Sequence, residues 1–371
     1  MTPLLPAPKG DFIGLDDKIH LATGGEPPLL HRHRDAFEAF AADKARGMDG
    51  YANHWRVVDA VRAQLAPMAG LVADEVGLIG NASEGIVKAL SAIDWRSGDN
   101  VVVSERDYAS GRYALTSLAG HGVELRMVPA RGWRIETDDL LARCDGRTRA
   151  IYISQVNATT GQLIDIAPLS RALADSQTML LLDASHALGA VPVRGDLADF
   201  TVSSCYKFAL GIHEGVFAWN RARRPQFEPF GVGWAAASTD GAADRFRPKE
   251  GARRAEFGNA GHLGAYLLRE SLDYLAAFGH EAVSLHAQTL CRRMIEGMTA
   301  LGLDVMTPAA PGEQAGNAAF ACADPAAIVT RAEADGIYLW GDNGRIRASA
   351  HVFTTGADVE TFLEKLPGYL G

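Results

Sequence analysis

Short apolar runs alternate with longer stretches of helical spacing through the first two-thirds of the chain. Runs of four to six residues predict strands at Ile19–Ala22, Val76–Gly80, Asn100–Ser104, Val123–Val128, Ala150–Ser154, Met179–Asp183 and Phe200–Ser203. Helical patterns lie around Leu29–Lys44 and Arg56–Met68, joined by the segment GMDGYANHW, which reads as a connector. Another helix is expected directly after Gly80, in NASEGIVKALSAI. Alternation of this kind predicts right-handed βαβ units and a largely parallel sheet with helices on both faces. From about Gly261 the pattern changes to longer helices, Leu263–Phe278 and Glu281–Leu301, then short strands and a last helix at Asp358–Leu370. The first seventeen residues are proline-rich and read as an arm.

Two strand ends carry the chemistry. MLLLD is apolar up to Asp183, the profile of a strand buried on both faces, and open α/β sheets bind ligands beyond such carboxyl ends. His186 follows on the same turn, and the next strand delivers Ser204, Tyr206 and Lys207. An acid and a lysine at neighbouring strand ends suit pyridoxal phosphate, which takes a lysine for its Schiff base and an acid for its pyridinium nitrogen. The segment Asn81-Ala82-Ser83-Glu84 at a helix start reads as an N-cap, and its free N–H groups also suit a phosphate.

DASHALGAV followed by SSCYKFALGIHEGVFAWN resembles the class-V branch of the fold-type-I pyridoxal phosphate enzymes, which includes cysteine desulfurases, selenocysteine lyase, kynureninase, epimerase-like proteins and several aminotransferases. The resemblance covers roughly residues 18 to 368. It implies an α/β fold whose large domain holds a mostly parallel seven-stranded sheet in an α/β/α sandwich, with a small α+β C-terminal domain. The expected division is an arm at 1–17, a large domain at 18–258 and a small domain at 259–371, with segment 18–45 packing on the latter.

The same resemblance distributes roles. Lys207 would hold the cofactor and move protons, Asp183 would face the pyridine nitrogen, Tyr108 would stack on the ring, and His186 would contact the ring or its Asp. Ala82, Ser83, Ser204 and Tyr206 fall on cofactor-binding positions, and Asn157 on a position that bonds the ring oxygen. Asn259 would reach the phosphate of a neighbouring subunit, making a homodimer with shared sites. Arg347, in GRIRASAH, would fork onto the substrate carboxylate, with Ser349 and Thr355 in register. Tyr51, His54, Trp55, Trp234 and Trp340 are candidate pocket walls.

The leading expectation is an aminotransferase acting on an α-amino acid. The alternatives are a lyase of kynureninase or cysteine/selenocysteine-lyase type, an epimerase, or a non-catalytic protein with the same fold. No cysteine stands just before Arg347, so a persulfide-forming desulfurase is not expected. A nicotinamide-binding reading fails because no G-x-G-x-x-G joins a strand to a helix. The formal net charge of −9 disfavours nucleic acid and anionic membrane as partners. The four cysteines have no metal-ligand spacing, and with no leader-like N-terminus the expected location is the cytoplasm.

Overall fold

In a computed structural model the described residues are 5–239 and 246–371; the first four residues of the expected arm lie outside them. Seven strands form the central sheet: β1 (Val76–Ile79), β2 (Asn100–Ser104), β3 (Glu124–Val128), β4 (Thr148–Ser154), β5 (Met179–Asp183), β6 (Phe200–Ser204) and β7 (Gly215–Trp219). Their order is β1-β7-β6-β5-β4-β2-β3, and only β7 runs against the rest. Every residue of β5, β6 and β7 is buried, including the polar Thr201, Ser203 and Ser204 of β6. One apolar core lies on each face of the sheet. This is the expected α/β architecture, a mostly parallel seven-stranded sheet with helices on both faces.

Four helices position the site: α1 (His33–Lys44), α2 (Met48–Met68), α3 (Ala82–Ser91) and α4 (Ala109–Ser117). Helix α3 starts where β1 ends, and α4 starts just beyond β2, so both N-termini face the carboxyl edge of the sheet. The connector expected at GMDGYANHW is instead the first two turns of α2. Gly50 is demanded by packing, since a Cβ there would run into the Asp43 carbonyl at the end of α1, and Gly47 by its φ of 61°.

A third core surrounds a small antiparallel sheet of β8 (Asn317–Ala321), β9 (Trp340–Asp342) and β10 (Arg345–Ser349). The amino-terminal segment joins this sheet region, with Ile19–His20 pairing in parallel with Ile337–Tyr338 and Ala22 bridging to Ser349. Residues Ala7, Phe12 and Leu15 of the arm pack with Tyr274, Phe278, Val352 and Phe353. Helix α5 (His262–Phe278) puts Ala265, Leu268 and Leu272 into the core shared with the central sheet. Its Tyr274, Leu275 and Phe278 lie in the core with Val352 and Phe353, so α5 packs on both parts of the chain. Among the described residues no helix is long and apolar enough to cross a membrane.

Gly111 of α4 lies against the buried ring of Tyr152 on β4. Ala has a helix propensity about 1 kcal/mol better than Gly, but its methyl would overlap ring carbons, a strain of about 1–3 kcal/mol. Gly111→Ala is therefore expected to lower the denaturant midpoint, where a purely helical effect would raise it.

Candidate active site

The carboxyl ends of β5 and β6 are adjacent, with Asp183 opposite Val202. Asp183 is fixed from two sides: Tyr152 donates its hydroxyl to Oδ2 at 2.6 Å, and the Ser185 amide donates to Oδ1 at 2.8 Å. The turns that follow Asp183 pass so close to the loop after β6 that a Cβ on Gly189 would strike the Phe208 carbonyl. This contact brings His186 to Lys207, whose Nζ lies 3.1 Å from the ring Nε2.

Lys207 is buried, with 6% of its surface exposed. Burial pulls its amine from the usual 10.5 down to about 8, assisted by Arg347 and opposed by Asp183. Burial holds the His186 ring well below its ordinary range, and the Lys207, Arg347 and Arg345 charges push the same way. A neutral imidazole bears one N–H. Asn317 Nδ2 donates to His186 Nδ1 at 3.0 Å and Ser349 donates its hydroxyl to Asn317 Oδ1 at 2.7 Å. The proton of His186 is thereby placed on Nε2, where it points at Lys207 and favours the free amine.

No motif in the sequence marks Asn317, yet it orients the histidine beside the lysine. Asn317→Leu removes that donor and lets His186 accept a proton from an ammonium instead. The expected result is an upward shift of the Lys207 midpoint, read from the pH profile of cofactor capture by the cofactor-free protein.

Two cavities meet at Lys207. The inner one, 170 Å³, is lined by Asn81, Ala82, Ser83, Asp183, Ser185 and Ser204. The outer one, 510 Å³, is lined by Gly24, Gly25, Trp340, Arg345 and Arg347. Tyr108, Ala158, His186, Tyr206, Lys207 and His213 border both. Tyr108 is 47% exposed, with its ring centre 5.4 Å from Lys207 Nζ. Tyr206 stacks on His213 at 4.3 Å. Ser83 donates to Ser110 at 2.8 Å at the α3 N-terminus.

Arg347 is 4% exposed. Its Nη1 donates to the Ala158 carbonyl at 2.8 Å, and its Nε has no partner among the described residues. Burial lowers its pKa from the ordinary guanidinium value to about 9, with Arg345 the next cause. A buried guanidinium without a carboxylate is costly, and here it faces a cavity.

Several expected site residues lie elsewhere. Asn157 is fully buried, accepts the Thr159 and Thr160 amides and donates to the Arg106 carbonyl. It closes a loop and lines neither cavity. His54 is buried on α2 against Tyr266, 3.1 Å from its hydroxyl, because helical geometry turns it into the core. Tyr51 bonds Asn259 at 2.8 Å, and Trp55 meets Trp234 edge to face. These four, with Trp234 61% exposed, form a surface group apart from Lys207 in the same chain.

The sequence model of the family described as aminotransferase class-V matches residues 22–362. The chain belongs to this family, and its cofactor is pyridoxal phosphate. Among curated relatives, a probable cysteine desulfurase of Methanothermobacter thermautotrophicus is 22% identical over 93% of this chain and 92% of its own. A kynureninase of Burkholderia mallei is 26% identical over 69% of this chain and 65% of its own. The fold matches a cysteine desulfurase from Thermococcus onnurineus with TM-score 0.89 at 20% identity, over 100% of this chain and 99% of that one. It also matches a cystine C–S lyase in complex with cysteine persulfide, with TM-score 0.86 at 20% identity, over 96% and 98% of the two chains.

The inner cavity fits the cofactor by its donor set. The start of α3, the hydroxyls of Ser83, Ser185 and Ser204, the doubly held Asp183 carboxylate and the Lys207 amine all line it.

Proposed function

We propose that this class-V enzyme is a lyase acting on an α-amino acid, in preference to the aminotransferase expected first. The observation that carries the amino-acid reading is the convergence of Lys207, Asp183 and unpaired Arg347 on two joined cavities. When bound, pyridoxal phosphate supplies an electron sink for negative charge at the amino acid's Cα. Lys207 would hold the cofactor and move the Cα proton, and Asp183 would face the pyridine nitrogen. Tyr108 would cover the ring, Ala82, Ser83 and Ser204 would hold phosphate, and Arg347 would fix the substrate carboxylate.

The lyase preference rests on the relatives, a desulfurase, a kynureninase and a cystine C–S lyase by name. The cysteines argue against an enzyme-bound persulfide. Cys144, Cys205, Cys291 and Cys322 line neither cavity, and burial raises each thiol above its usual range. The leaving group would therefore depart into solution.

A second copy of the chain would bring Asn259 to the phosphate end, and exposed Trp234 with half-buried Tyr51 and Trp55 beside it suits such an interface. The purified enzyme, given a panel of amino acids without keto acid, should release a keto acid or alanine catalytically. Amino transfer to the cofactor in a single stoichiometric round, reversed by added keto acid, would replace the lyase with an aminotransferase.

A further inference from the structure

The outer cavity holds a second arginine that the α-carboxylate role does not use. Arg345 and Arg347 are two residues apart on β10, so both side chains leave the same face of the strand. Both line the outer cavity, and both guanidinium groups lie against Trp340, 4.6 and 4.7 Å from its ring centre. Neither forms an ion pair among the described residues, and the buried Nε of each lacks a partner.

The nearby carboxylates are engaged otherwise or stand off. Asp342, opposite Arg345 in the sheet, accepts the amide and side-chain N–H groups of Asn343, each at 2.7 Å. Glu26 lies 3.7 Å from His213. Glu333 lines the cavity without pairing to either arginine. Arg106 is answered by Glu105 at 3.3 Å and stacks on Trp133.

We propose that the outer cavity is built for an amino acid with two carboxylates, Arg347 taking the one at Cα and Arg345 the one at the far end of the side chain. Two like charges held close together in a partly dry site repel each other. One anion compensates only one of them. The step between side chains at i and i+2 is roughly 6.5–7 Å, a separation bridged by a short chain of methylenes. Trp340 forms a flat apolar wall along that path. This inference rests on the reading of Arg347 as the carboxylate clamp.

Amine-free acids test it without turnover. Calorimetry on the cofactor-loaded enzyme should show glutarate binding roughly tenfold or more tighter than butyrate, the scale of one added charge-assisted hydrogen-bond pair. Arg345→Gln should bring glutarate to within about twofold of butyrate, while Arg345→Lys keeps part of the gap; the cofactor's absorbance reports that each variant is folded. If the unaltered enzyme binds both acids equally and Arg347→Gln weakens both, the two-carboxylate inference is overturned and the proposed function stands. If Arg347→Gln affects neither acid, the clamp fails and this inference fails with it.

Discussion

Lys207→Met is expected to abolish turnover while leaving the protein folded. Among the described residues that line the two cavities, Lys207 carries the one primary amine, and it is also the group placed to move the Cα proton. Removing a positioned general acid–base alone typically costs about 10²–10⁴ in rate, and the loss of covalent attachment adds to it, so kcat/KM should fall by at least about 10³. Methionine keeps most of the side-chain volume. Stability of the cofactor-free protein should not fall. The native state depresses the lysine pKa from 10.5 to about 8, so its folded form binds a proton less readily than its unfolded form. Stability contributed by this group is thus lost as pH falls from about 10.5 toward 8, and at neutral pH the neutral replacement is relieved of that cost. Retention of cofactor through dialysis, kcat/KM and thermal unfolding together check the prediction.

Arg347→Met is expected to lower kcat/KM by roughly 10²-fold, mainly through KM, the scale of losing a charge-assisted fork to a carboxylate. Arg347→Lys should not restore it, because a lysine offers a point charge in place of two parallel donors. Stability is again the discriminating readout. The native guanidinium is buried, bonded to one carbonyl and paired with no carboxylate, so a structural role would predict loss of stability on substitution. A substrate-binding role predicts little loss or a gain. The same variant carries a pH signature. Arg347 lowers the Lys207 pKa, so the midpoint for cofactor capture should move upward from about 8 in Arg347→Met.

The sheet and the Asp183–Lys207 pair were legible because each rests on local pattern: an apolar run that ends in a polar residue at a strand tip. What the sequence hid depends on contacts between distant segments. Asn317 lies 131 positions from the histidine it orients, and nothing in NAAFACADP marks it. Tyr152 sits inside an apolar strand, where its ring reads as core and its hydroxyl goes unnoticed. Arg345 stood in plain view beside Arg347, but a charged residue near a strand end reads as solvated until a cavity is seen in front of it. Misreadings had the same origin. Gly47 and Gly50 looked like chain breakers, whereas Gly47 adopts φ 61° as the cap of α2 and Gly50 admits the end of α1. Extending that helix turned His54 into the core and carried Tyr51 and Trp55 away from the lysine.

The most direct test of the account is to find the amine that holds the cofactor. The purified yellow protein is reduced with borohydride, digested and read by peptide mass spectrometry. A single pyridoxyl mass increment on the peptide carrying Lys207, absent from Lys207→Met, is the predicted result. Label on another lysine, or none in protein supplied with pyridoxal phosphate, would contradict it.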